Sequence, residues 1–189
     1  MEVKTNNPAL LIIDFQKGFD EVEYWGGNRN NPDAEVKIVA ILDRWRELKL
    51  PVFHVVHSSQ DPNSRLHASH PGFAMKDEIT PKVDEPVITK NVNSAFIGTD
   101  LKERLEKEGI HQLVIVGLTT NHCVSTTTRM AGNFGYEVLL ISDATATFDR
   151  VGINGESYDA EIIHQTALAS LNEEFAKVID AEELLHHFR

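Results

Sequence analysis

Three residues able to do acyl-transfer chemistry follow apolar runs at comparable places in the chain. Asp14 comes directly after the run 9–13, and Lys90 directly after the run 86–89. Cys123 comes a few residues beyond the run 113–116, where a helix should begin. A thiolate attacks carbonyl carbon where a thiol does not, and a helix N-terminus together with a nearby cation favours the thiolate. Lys90 is the candidate cation. An aspartate held beside both could take the thiol proton and later hand it to a leaving amine, which is the role open to Asp14.

Each residue also has a plain structural reading. Cysteine is among the most buried residue types and is often inert in a core. An aspartate after a strand often only caps a turn, and a lysine there usually reaches solvent. It is their coincidence at one predicted edge that favours chemistry. His122 is a rival base, but it adjoins Cys123, and consecutive helix residues point in different directions, so it reads better as pocket lining. His54, His57, His67 and His70 are close in sequence, yet residues three apart on a strand point to opposite faces, so His54 and His57 cannot share one ion. No metal and no cofactor is expected. Gly26-Gly27 lacks the rest of either phosphate-binding motif.

The elements that must position these residues alternate in type. Apolar runs at 9–13, 51–56, 86–89, 113–116, 137–141 and 176–179 have strand length and suit burial on both faces. Between them lie helical patterns. One carries Ile38, Ile41, Leu42, Trp45 and Leu48 after Asn31-Pro32, with the proline expected at the first helical position. A second is expected to be capped by Thr99 and ended by Gly109, a third to span 121–133 and a fourth 158–173. Such alternation implies right-handed βαβ units, and ligands of open parallel sheets bind beyond the carboxyl ends of the strands. The polar connection 58–85 is long enough to be a lid or to carry binding residues.

Composition narrows the function classes. With 41% apolar and 25% charged residues, the 189-residue chain reads as one soluble domain, 1–189. A net charge of −11 would repel phosphate backbones and anionic lipid, so nucleic acid and membrane are not expected partners. The first residues, MEVKTNNPALLIIDF, show no secretory leader, and the expected location is the cytoplasm. The single cysteine excludes an internal disulfide.

Three stretches, LLIIDFQKGF, ITKNVNSAFIGTDL and VIVGLTTNHCVSTTTRMAGNFGYEVLLISDATAT, resemble in order the signature blocks of the isochorismatase-like hydrolases. That superfamily includes nicotinamidases and N-carbamoylsarcosine amidases. The resemblance implies a six-stranded parallel sheet flanked by helices on both faces and a catalytic triad of Asp14, Lys90 and Cys123. It also implies an oxyanion hole from the backbone N–H groups of Thr119 and Cys123, with a cis peptide at Leu118–Thr119. Phe15 and Gln16 match the family's Asp-x-Gln stretch, and Phe19 resembles its later aromatic. With Trp25 and His122 they are the candidate pocket residues, and Arg65, His67 and Phe73 are candidates for the entrance.

Departures bear on the substrate. VFHVVHSSQDPNSRLH does not reproduce the metal-binding histidines of nicotinamidases, and Cys123 argues against true isochorismatases, which typically lack it. The leading expectation is hydrolysis of a small amide or related C–N bond through a thioester, by a homodimer or larger homo-oligomer. A vinyl ether hydrolase and a non-catalytic partner-binding domain of the same fold are the alternatives.

Overall fold

The computed structural model describes residues 7–188. Residues 1–6 and 189, part of the expected single domain, lie outside the described residues. The first strand, β1 (Ala9–Ile13), explains the architecture. Successive strand side chains point to opposite faces. Leu10 and Ile12 therefore join one core with Ile38, Ile41, Leu42 and Trp45, while Ala9, Leu11 and Ile13 join another with Leu101, Leu105 and Val124. A run apolar at every position is what a sheet covered on both faces demands.

The chain continues through α1 (Val22–Trp25), α2 (Ala34–Glu47), β2 (Val52–His57), β3 (Val87–Lys90), α3 (Leu101–Lys107) and β4 (Gln112–Leu118). A π-helical turn, Thr120–Val124, leads into α4 (Ser125–Asn133) and β5 (Glu137–Ala146). A hairpin of β6 (Arg150–Val151) and β7 (Ser157–Tyr158), then α5 (Ala160–Leu171), β8 (Lys177–Ile179) and α6 (Ala181–His187) complete the order. Six strands pair in parallel in the order β3-β2-β1-β4-β5-β8. Strand order reverses between β1 and β4, the switch point above which such sheets hold ligands.

Several boundaries differ from the sequence expectation. Helix α2 begins at Ala34 after Asp33, so Pro32 precedes the first turn instead of opening it. Asp100, not Thr99, stands before α3, although the Thr99 hydroxyl accepts from the Leu101 N–H at 3.4 Å. The helix expected over 121–133 is a π turn followed by an α-helix. The connection 58–85 lies packed down: Lys17 N–H donates to Ala74 O at 2.8 Å and Lys76 N–H to Phe15 O at 3.0 Å. No helix among the described residues is long and apolar enough to cross a membrane.

Candidate active site

The site begins where β1 ends. The backbone turns at Asp14 with φ 49°, a left-handed conformation that aspartate enters more readily than a β-branched residue. Its N–H is fixed by Val55 O at 2.8 Å. On the other side, Gly117 of β4 pairs with Ile13, and a Cβ at Gly117 would stand 2.0 Å from the Ile13 carbonyl oxygen. Only glycine lets the two strand ends approach so closely, which sets where the Asp14 carboxylate emerges.

Lys90 ends β3 and pairs in register with His57, which ends β2. Its Nζ donates to Asp14 Oδ2 at 2.7 Å, and both side chains are fully buried. A second Nζ–H reaches His57 Nδ1 at 3.0 Å. Because an ammonium only donates, Nδ1 must be the acceptor, which leaves His57 neutral with its proton on Nε2. Burial, and then the charge of Lys90, push the His57 pKa below its ordinary 6.5.

Cys123 sits in the π turn, with its sulfur 3.8 Å from Asn93 Oδ1. A carboxylate oxygen of Asp14, a ring nitrogen of His57 and the Cys123 sulfur all lie within 4.8 Å of one another. Burial raises the thiol pKa far above its ordinary value, the negative charge of Asp14 raises it further, and Lys90 opposes both. In sequence the helix start and Lys90 favour the thiolate; in the fold, burial and the charge of Asp14 act in the opposite direction. Asp14 Oδ1 is buried with no hydrogen-bond partner, so a free acceptor stands in this cluster. The three ligand-type groups do not suit a metal ion, because the Lys90 ammonium already lies against two of them.

The turn carrying Cys123 is tied down from distant segments. Thr120 Oγ1 lies 2.9 Å from Nδ1 of the buried His164, and Thr147 Oγ1 donates to Asn121 Oδ1 at 2.5 Å. The Leu118–Thr119 bond is cis.

A cavity of about 230 Å³ opens above the sulfur. Phe19, Trp25, Thr119, His122 and Cys123 line it, and the Phe19 and Trp25 rings pack 4.7 Å apart. Two other candidates lie behind its wall. Phe15 is buried in the core, and Gln16 uses its amide to hold the strand end and the long connection, donating to His57 O and Phe73 O and accepting from His57 N–H. Sequence reasoning missed His57, Asn93, Ser59, Ser64 and Leu66, which complete the lining. Only His57 carried a signal, as the residue closing a strand beside Lys90. His122 is exposed at the rim, near Thr119 Oγ1 at 3.4 Å and Arg150 Nη2 at 3.5 Å. The other histidines serve separate partners: His54 meets Glu85, His67 meets Ser69 and His70 meets the Gly72 N–H. Of the residues expected at the entrance, Arg65 pairs with Glu21 and stacks on Tyr24.

An aspartate, a lysine and a cysteine thus meet at the carboxyl edge of a parallel sheet, and comparison with known proteins gives the family of the chain. The sequence profile of the Isochorismatase domain matches residues 8–183. An uncharacterized isochorismatase family protein of Bacillus subtilis, YrdC, is 48% identical over 180 residues, covering 95% of each chain. Nicotinamidase 3 of Arabidopsis thaliana is 31% identical over 93% of this chain and 86% of its own. An isochorismatase-family structure from Chromobacterium violaceum superposes with a TM-score of 0.94 at 38% identity, covering 100% of this chain and 96% of that one. The chain belongs to the isochorismatase family and is a hydrolase.

Proposed function

We propose that the chain hydrolyses a small amide or related C–N bond with Cys123 as nucleophile, Asp14 as proton carrier and Lys90 as the cation that stabilises both. The observation that carries this reading is the fully buried Lys90–Asp14 pair at 2.7 Å, grouped with the sole cysteine beneath a cavity. With burial and Asp14 both favouring the thiol over the thiolate, deprotonation accompanies attack: Asp14 takes the proton as sulfur adds to the carbonyl carbon. Negative charge then develops on the carbonyl oxygen. The backbone N–H groups of Thr119 and Cys123 are our candidates to receive it, since fixed donors in a water-poor site stabilise such charge without reorganising. Collapse of the adduct breaks the C–N bond, Asp14 returns the proton to the departing nitrogen, and water activated by Asp14 cleaves the thioester.

Lys90 holds Asp14 in place through the whole cycle, and His57 fixes Lys90 from the other side. The nicotinamidase relative, an amide hydrolase by name, supports a C–N bond as the target. We also propose a homodimer or larger homo-oligomer, a reading supported by the exposed apolar side chains Val151, Ile153 and Ile162 on the β6–β7 hairpin and α5. Sedimentation velocity of the purified chain tests it, a monomer at micromolar concentration being the contrary result.

The activity is tested by a panel of about a hundred amides and N-carbamoyl compounds with ammonia detection, run in parallel with Cys123→Ala. Ammonia release by the wild type that is lost in Cys123→Ala is the expected result. Release of pyruvate from a vinyl ether substrate, with no ammonia from any amide, would turn the reading toward ether hydrolysis.

A further inference from the structure

We infer that His164 is a positioning residue for acyl transfer: through the Thr120 hydroxyl it fixes the turn from which the backbone N–H groups of Thr119 and Cys123 meet the developing oxyanion. The inference deepens the amidase reading and rests on it for the identity of the step, while the network behind it stands on geometry alone.

A helix start leaves its first N–H groups without intrahelical partners, and a capping side chain commonly steadies them. Thr119 supplies no such cap to the π turn Thr120–Val124. The hold comes from behind the turn. Thr120 is fully buried, and its Oγ1 lies 2.9 Å from Nδ1 of His164, a residue of α5 that is 2% exposed.

The neighbours of the ring set the direction of that bond. Asn31 Nδ2 spends its two hydrogens on Ser142 O at 3.0 Å and Thr145 O at 2.7 Å, so it has none for His164 Nε2, 3.4 Å away. The Ser142 carbonyl also accepts from the His164 ring, which places the ring proton on Nε2. Burial pushes the His164 pKa below its ordinary 6.5, against the opposing pull of Glu161 and the Ser142 carbonyl, and keeps the ring neutral. Nδ1 is left as an acceptor, and the Thr120 O–H donates to it. A ring held on its far side thus gives the first residue of the turn a fixed point.

A second tie reaches the next residue from the same place. Thr147 Oγ1 donates to Asn121 Oδ1, Thr147 N–H donates to Asn30 Oδ1 at 2.8 Å, and Asn30 Nδ2 donates to Glu161 Oε2 at 3.1 Å. Glu161 stands three residues before His164 on α5. Thr120 and Asn121 are therefore both pinned to one helix, with the adjacent Asn30 and Asn31 between. His164 does not line the cavity, so it can act on the reaction only through the turn. Fixed donors stabilise an oxyanion only at about 2.7–3.1 Å from it, so a loosened turn weakens the transition state more than the binding of substrate.

The test separates a reaction that forms an oxyanion from one that does not. With p-nitrophenyl acetate, the Cys123 sulfur adds to the carbonyl carbon, the thiol proton passes to Asp14, and nitrophenolate leaves as the thioester forms. Iodoacetamide alkylates the same sulfur by displacing iodide at a saturated carbon, with no oxyanion. Both are read by intact mass after an acid quench, with Cys123→Ala as the blank. His164→Ala should slow acetylation about 10- to 100-fold, the scale of a misplaced donor, while alkylation stays within about threefold. With an amide substrate in hand, the same variant should lose kcat by a like factor at nearly unchanged KM. His164→Asn, whose Oδ1 takes the place of Nδ1 as acceptor, should recover most of the loss. Thr120→Val removes the bond from its other end with little change of shape; it should show the same selective loss and add little to His164→Ala in the double variant.

A merely structural role would lower thermal stability and slow both reactions alike. Equal losses in acetylation and alkylation, acetylation unchanged in His164→Ala or Thr120→Val, additive losses in the double variant, or a wild type that is alkylated but not acetylated would overturn the inference. Acetylation that depends on His164, with no ammonia from any amide, would count against the amidase reading alone. Ammonia release that His164→Ala leaves intact would count against the inference alone.

Discussion

Strand β2 carries two histidines three residues apart, His54 buried and His57 half-buried, and each belongs to a cluster with a carboxylate and a cation. His57 touches Lys90, which holds Asp14; His54 touches Glu85, which holds Arg46. Charge and burial alone do not separate the two clusters. Nor does open space, since the groove bordering Glu85 and Arg46 measures about 430 Å³ against about 230 Å³ above Cys123. What differs is saturation. Glu85 accepts from Arg46 at 2.7 and 2.8 Å, from His54 at 2.9 Å and from the Lys82 N–H at 3.0 Å. These bonds hold its pKa down at about 2 although burial pushes the other way. Asp14 keeps one oxygen free, and a thiol lies beside it. A carboxylate with every acceptor used is a clamp, while one with an acceptor free beside a nucleophile can move a proton.

The largest contrast should come from neutralising each carboxylate. Asp14→Asn and Lys90→Ala should each lose about 10²–10⁴ in kcat/KM, and adding Cys123→Ala should cost little more, because residues acting as a unit fail together. Glu85→Gln should instead lower stability by about 3 kcal/mol, read from the urea midpoint, with the folded protein still active, since it strands Arg46 and breaks a shielded pair. Activity lost in Glu85→Gln without loss of stability would erase the distinction.

A smaller effect should follow at the histidines. His57→Ala should lower kcat about 10- to 100-fold by removing one acceptor from Lys90, at nearly unchanged KM. His54→Ala should act on stability. The smallest effect concerns pH. Burial lowers the pKa of His54 and His164 below the ordinary 6.5. Above pH 6.5 both are neutral folded or unfolded; as pH falls below it, the unfolded chain takes up protons that the folded chain does not, so stability declines. The paired carboxylates Glu35 and Glu85, with pKa near 2, lose their contribution only as pH falls below about 4.5, so the window from pH 6.5 to 5 reports on histidine. Each of these two histidines should contribute up to about 1 kcal/mol of loss by pH 5.5, and His54→Gln should flatten that part of the profile.

The contrast also explains what was legible in sequence. Apolar runs such as 9–13 and 113–116 announce strands buried on both faces, and with them the edge bearing Asp14, Lys90 and Cys123, because period and length are local properties. Saturation is not local. Gln16 follows Phe15 in a motif suggestive of a pocket, yet its amide closes a gap between His57 and Phe73, more than forty residues away. His57 was set aside with His54 as a ligand-type histidine, since its partner Lys90 becomes its neighbour only through β2–β3 register. The opposing pull on the thiol is hidden for the same reason: a helix start is visible in sequence, but the depth of burial around Cys123 is not.

The measurement closest to the central claim is the mass of the enzyme caught during turnover. With an amide identified by ammonia release, the reaction is quenched in acid within the first turnovers and the intact protein is weighed. The account predicts a rise equal to the substrate's acyl group, located on the peptide containing Cys123 and removed by hydroxylamine, as a thioester requires. A stoichiometric burst of ammonia with Cys123 unmodified, together with near wild-type turnover by Cys123→Ala, would contradict it.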